Sequence, residues 1–235
     1  MGYDQILISD LEIMAHAKNY RWWMYRRLAP YIGHRVIEIG AGIGNFTNLL
    51  LDRELVIATD NYFPCVEYLN THLGGRLKAP ALLFDISADA GLELRQYEFD
   101  SVVCLNVLEH IENDLRALTR MHGLLAPGGR LVLLVPAFQF LYGTVDRALG
   151  HYRRYTRKSL LPLMRQANFV IEQSFYMNVI GMAGWFWNNR LVKRTQESKQ
   201  QIGFFDRRIA PAAEFFERML PPPAGLSLIA IGRKN

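Results

Sequence analysis

Cysteine is scarce: Cys65 and Cys104 are the only two in 235 residues, they stand far apart, and Cys104 lies inside an apolar run. Such a supply indicates neither a disulfide framework nor a cysteine-based metal site, and it fits a reducing compartment. The N-terminus lacks a basic start followed by an apolar core, since Asp4, Asp10 and Glu12 interrupt its apolar residues, which argues against a secretory signal. No long hydrophobic run exists either. The longest, Phe175 to Trp187, contains Asn178 and falls short of a membrane span. There is no internal repeat and no low-complexity tract. These absences lead to the expectation of a soluble cytoplasmic protein without a metal ion.

What is present is an ordinary globular composition, 50% hydrophobic and 12% aromatic, enough for one well-buried domain with a modest insertion. The formal charge is +5, with the excess in Arg21 to Arg27, Arg147 to Lys158 and Arg190 to Arg208. Clusters of this kind serve as solvated helix faces or meet anionic partners.

Periodicity organises the chain. Met14 to Leu28 reads as an aromatic helix that Pro30 ends, and Arg35 to Ile39 as a first strand. Further strands are expected at Glu54 to Thr59, Ala81 to Phe84, Phe99 to Leu105 and Arg130 to Val135. Helices are expected at Phe46 to Leu51, Val66 to Leu73 and Ile111 to Leu125. Strands alternating with helices imply right-handed crossovers and a parallel sheet covered on both faces. The last third departs from this rhythm. A helix at Arg157 to Ala167 and a strand at Phe169 to Phe175 are followed by an aromatic segment, Val179 to Arg194, a helix at Ala212 to Leu220 and a proline stop. A final strand comes only at Leu226 to Ile231. The expected organisation is one domain: a helical cap over 1–34, a core over 35–176, a helical insertion over 177–225 and a last strand over 226–235.

The most informative stretch is Val36 to Thr47, in which an apolar strand enters the alternating glycines Gly40, Gly42 and Gly44. Glycine there permits positive φ and lets a ligand lie against the backbone. The glycine spacing alone also suits a dinucleotide. Glu38, however, sits inside the strand, where a pyrophosphate gains nothing from a negative charge and a cationic ligand does. As E-x-G-x-G-x-G the segment resembles the first motif of the class I S-adenosylmethionine-dependent methyltransferases. Leu105 to Ile111 and Leu124 to Val135 resemble the segments after the fourth strand and into the fifth in the same family. The resemblance spans Val36 to Pro136. It implies a Rossmann-like α/β fold with a seven-stranded, mostly parallel sheet, helices on both faces and an antiparallel last strand.

The resemblance also implies S-adenosylmethionine as cofactor, held by Glu38, Gly40, Ala41, Gly42, Gly44 and Asn45 of the loop. Strand ends add contacts in such sheets: Asp60 and Asn61 toward the ribose, Asp85 and Ile86 toward the adenine, and Asn106, Val107 and His110 along the cofactor. Tyr20 and Arg21 on the preceding helix are placed for the methionine carboxylate. Glu109 and His110 read as the opening of the next helix, where an acid favours the positive end of the dipole.

Acceptor residues are expected in Tyr142 to Arg157, directly after the fifth strand. His151 is the candidate general base, with Asp146 orienting it or binding a substrate hydroxyl. Tyr142, Arg153, Arg154 and Tyr155 are candidate acceptor contacts, the arginines as a fork for an anionic group. Trp185, in a segment with an aromatic body and a basic end, suits an apolar acceptor or a membrane interface. The expected function is methyl transfer to a small molecule, apolar or lipid-linked with an anionic group, at oxygen in preference to nitrogen or carbon. Peripheral membrane contact through 179–194 accompanies it. A nicotinamide-dependent oxidoreductase and a non-catalytic nucleoside-binding scaffold are the alternatives. Nucleic acid is not expected, because the charge is modest and no Asn-Pro-Pro-Tyr-like platform follows strand four.

Overall fold

The structure is a computed structural model that describes residue 8 and residues 11–88, 91–187 and 199–235. A run of Val, Ile and Leu with little alternation is what a strand buried on both faces requires. The central strands β1 (Arg35–Ile39) and β4 (Phe99–Leu105) are of that kind. Flanking them are β2 (Leu55–Asp60), β3 (Leu82–Leu83), β5 (Leu125–Pro136), β6 (Phe169–Met177) and β7 (Ser227–Lys234). Together they form a seven-stranded sheet in the order β3-β2-β1-β4-β5-β7-β6. Only β7 runs antiparallel, against both β5 and β6, as expected of the last strand.

Successive residues of the strands point to opposite faces, so each strand feeds two cores. Ile37, Val102 and Leu131 pack with Phe99, Leu118 and Met121 on one face. Val36, Val103 and Val132 pack with Trp23 and Leu28 of α1 (Lys18–Leu28) and with Ala210 and Ala213 on the other. The crossovers carry α2 (Phe63–Leu73), α3 (Asp114–Leu124), the short α4 (Thr144–Ala148) and α5 (Arg157–Gln166). Between β6 and β7 come α6 (Val179–Phe186), α7 (Lys199–Phe204), a π-helical turn at Phe205–Ile209 and α8 (Ala210–Met219). Among the described residues no helix is long and apolar enough to cross a membrane. The basic end of the 179–194 segment, from residue 188 onward, lies outside the described residues.

Three local expectations change. The helix expected at Phe46 to Leu51 is a 3₁₀ turn at Thr47–Leu49. Thr47 is held there, donating from its hydroxyl to Glu38 at 2.6 Å, and the chain must soon re-enter the sheet at Leu55. The N-terminal helix breaks at Ala17, whose ψ of 65° leaves the helical region. The helix expected from Ile111 starts at Asp114, because Asn113 caps it by accepting from the Arg116 amide at 3.0 Å. Glu109 and His110 belong instead to a separate 3₁₀ turn, Leu108–His110.

Candidate active site

Where β1 ends, the chain turns through left-handed backbone at Gly40 (φ 72°) and Gly42 (φ 55°). A β-carbon on Gly40 would lie 2.2 Å from Val107 Cγ2, so the loop and the β4 terminus meet at a distance only glycine allows. Gly44 answers a different need: its open side faces Leu69 and Leu73 of α2, and it does not line the cavity. Beneath the loop Glu38 is buried, and burial pushes its carboxyl up to about 8 against the opposing hydrogen bond from Thr47.

The ends of the parallel strands open into one cavity of about 1280 Å³. Gly40, Ala41, Gly42, Asn45, Asp60, Asn61, Asp85, Ile86, Asn106 and Val107 all line it, as do Glu38, Tyr20 and Arg21. Asp60 is already engaged with the loop. Its Oδ2 accepts from the Gly42 amide at 2.8 Å and its Oδ1 from the Tyr62 amide at 2.9 Å, which opposes the upward push of burial on its pKa. Asp85 Oδ1 accepts from the amide and hydroxyl of Ser87, at 2.8 and 2.6 Å. Asn106 holds left-handed backbone (φ 54°), so the chain leaves β4 abruptly and brings Val107 to Gly40.

The N-terminal helix is sewn to this loop. Arg21 donates to Asn45 Oδ1 at 3.1 Å, and Asn45 donates to the Leu11 carbonyl at 2.8 Å. Behind it, buried Asp206 of the insertion accepts from the Tyr20 amide at 2.8 Å and from Asn19. Sequence reasoning missed Asp206. It sits at a π-helical turn with no motif around it, and only its partners give it a role.

The 142–157 segment returns past the carboxyl end of β5, pinned by a bridge between Ala137 and Tyr155. It builds a buried polar cluster. Asp146 Oδ1 accepts from His151 Nδ1 at 2.9 Å and from Arg154 Nε at 2.7 Å, while its Oδ2 accepts from the Gly143 amide at 2.9 Å. Burial opposes ionisation of Asp146, yet these bonds and the Arg154 charge hold its carboxyl down at about 2. His151 lines the cavity; Asp146, fully buried, stands behind it. The His110 ring meets the His151 ring edge-on at 4.5 Å. Burial, with His151 adding to it, pushes His110 down to about 4.

Glu109, read from sequence as a helix opener, is buried beside them with both carboxylate oxygens lacking a partner. Burial pushes it up to about 7, with the charges of His151 and Arg154 pulling the other way.

Three expected acceptor contacts do not reach the cavity. Arg153 pairs with Asp114 at 2.8 Å and with the Glu112 carbonyl. Tyr155 is buried, its hydroxyl donating to Asp114 at 3.0 Å, which with burial raises its pKa. Tyr142 donates to the His151 carbonyl at 2.7 Å. All three brace the segment that carries His151. Arg154 and Trp185 do line the cavity, the guanidinium 4.6 Å above the indole ring. Arg154 is committed to Asp146, so the expected two-arginine fork for an anion does not form.

Fold and site therefore define a Rossmann-like class I methyltransferase architecture. Residues 15–174 match the methyltransferase-domain family, and the chain belongs to it. It is 27% identical over 170 residues, 69% of this chain and 49% of the relative, to a tRNA U34 carboxymethyltransferase of Trichodesmium erythraeum. It is 30% identical over 138 residues, 54% of this chain and 55% of the relative, to a demethylmenaquinone methyltransferase of Deinococcus radiodurans. The chain thus spans about half the length of both relatives. Among solved structures, the N-methyltransferase NodS of Bradyrhizobium japonicum, in complex with S-adenosyl-L-homocysteine, shares the fold. Its TM-score is 0.58 at 17% identity, over 92% of this chain and 86% of that one.

Proposed function

We propose that this chain transfers a methyl group from S-adenosylmethionine to an oxygen of an apolar small molecule. The observation that carries the reading is a single cavity lined both by the glycine loop and by His151. The residues fit the cofactor: the loop leaves no room for a β-carbon at Gly40, Asp60 is fixed at a strand end, and Asn106 and Arg21 face the same space. Bound there, the cofactor supplies the electrophilic methyl of its sulfonium. The chain's own work is alignment in a dry pocket.

A hydroxyl acceptor must also lose a proton. The Glu109, His110 and His151 cluster is where that happens, with the Asp146–His151 pair oriented to receive it. Ile180, Trp185, Trp187, Phe204 and Phe205 line the rest of the cavity and suit an apolar acceptor. Trp187 and Phe204 remain largely exposed, which leaves room for a long apolar chain.

Calorimetry with S-adenosylhomocysteine tests the first half, and absence of binding defeats the proposal. Incubating cell extract with methyl-labelled cofactor tests the second. Label in an organic-soluble molecule supports it, and label confined to tRNA nucleosides moves the acceptor to the class named for the tRNA relatives.

A further inference from the structure

Glu109, His110 and His151 bring one carboxylate and two imidazoles together, with a ligand atom from each lying within 4.8 Å of the others. An ion with bonds of about 2.1 Å separates its ligand atoms by roughly 3–4 Å, so side-chain adjustment of about an ångström closes the set.

Two further observations point to a ligand. Glu109 is 1% exposed, and neither of its carboxylate oxygens has a hydrogen-bond partner. A buried carboxylate in that condition is costly unless something cationic or donating meets it. The Arg154 charge acts on Glu109 but gives it no hydrogen bond, the Arg154 Nε bonding Asp146 and its Nη1 the Ala137 carbonyl. Moreover, both imidazoles are anchored from behind. His151 Nδ1 is held by Asp146 at 2.9 Å, and His110 hydrogen-bonds the Leu149 backbone. Each ring therefore keeps one nitrogen for the cluster, which is how outer partners orient metal-bound histidines. All three side chains line the cavity, so a bound ion would keep open positions toward it.

We propose that Glu109, His110 and His151 bind one divalent first-row cation, with open coordination positions facing the acceptor. Two imidazole nitrogens and one carboxylate oxygen suit zinc, iron(II), cobalt(II) or manganese(II). The cation lowers the pKa of an acceptor hydroxyl beside it. His151 is then a ligand, and its role as proton acceptor is confined to the cation-free protein. The use of the ion rests on the methyl-transfer reading, whereas its binding does not.

Untagged protein stripped with chelator is titrated with zinc by calorimetry and with cobalt(II) by visible absorption. One equivalent binds, and cobalt(II) gains visible ligand-field absorption on binding. Glu109→Gln and His110→Asn each weaken binding by about tenfold or more. Far-UV circular dichroism on the same samples reports intact folding, and S-adenosylhomocysteine calorimetry on the unsubstituted protein tests the methyl-transfer reading separately. Should Glu109→Gln fail to fold, His110→Asn decides. No cation bound at millimolar concentration by protein that still binds S-adenosylhomocysteine overturns the proposal. So does cation affinity unchanged in the folded variants, since the ion then lies elsewhere.

Discussion

Glu38 sits in the middle of the sheet with a carboxyl raised to about 8 chiefly by burial. The unfolded chain gives up this proton near pH 4.5 and the folded one near pH 8, so the native state binds more protons across that window. Its contribution to stability therefore falls as pH rises from 4.5 to about 8 and is level above it. Glu38→Gln keeps the shape without the titration. Urea unfolding at several pH values should show the variant gaining about 1 kcal/mol or more on the native protein between acid and alkaline pH. Asp146 has the opposite sign. Its carboxyl, held at about 2, contributes stability that is present above the ordinary carboxylate range and lost as pH falls toward 2. Asp146→Asn leaves the buried Arg154 without its counter-charge, and chemical denaturation near neutrality should show a loss of about 3 kcal/mol.

The glycine loop shows what an element can state locally. Gly40→Ala forces a β-carbon against Val107 in left-handed backbone, and calorimetry should show S-adenosylhomocysteine affinity reduced at least about tenfold. Gly128 has a similar φ of 79° with nothing near its open side, so Gly128→Ala should cost about 1 kcal/mol of stability and leave that affinity unchanged. The loop was legible because strand, turn and glycines are consecutive residues. The Phe46 to Leu51 helix was misread for the converse reason: a helical spacing of apolar residues carries no notice that Thr47 is tied to Glu38. Glu109 was misread likewise, since a helix-opening acid and a buried, partnerless one look alike in sequence.

For the whole molecule, the cavity depends on segments far apart in the chain. Asp206 holds the N-terminal helix from the insertion, and Arg21 passes that support to Asn45 of the loop. A ligand seated there binds only the folded arrangement. S-adenosylhomocysteine at about a hundred times its dissociation constant should add about 2.7 kcal/mol, raising the melting temperature by about 5–10 °C in a thermal scan.

By itself the sequence determined the parallel sheet and the glycine turn, because apolar periodicity and glycine act over a few neighbouring residues, whereas the antiparallel close was implied by the family resemblance. Only the tertiary structure decided which polar residues face the cavity. The Ala137–Tyr155 bridge and the Tyr152 amide, which donates to the Glu109 carbonyl at 2.8 Å, lay the 142–157 segment against the end of β4. That contact directs Arg153 and Tyr155 to Asp114, away from the cavity, and leaves His151 beside His110 and Glu109. Hydrogen bonds between distant segments made that choice, and no local pattern records them.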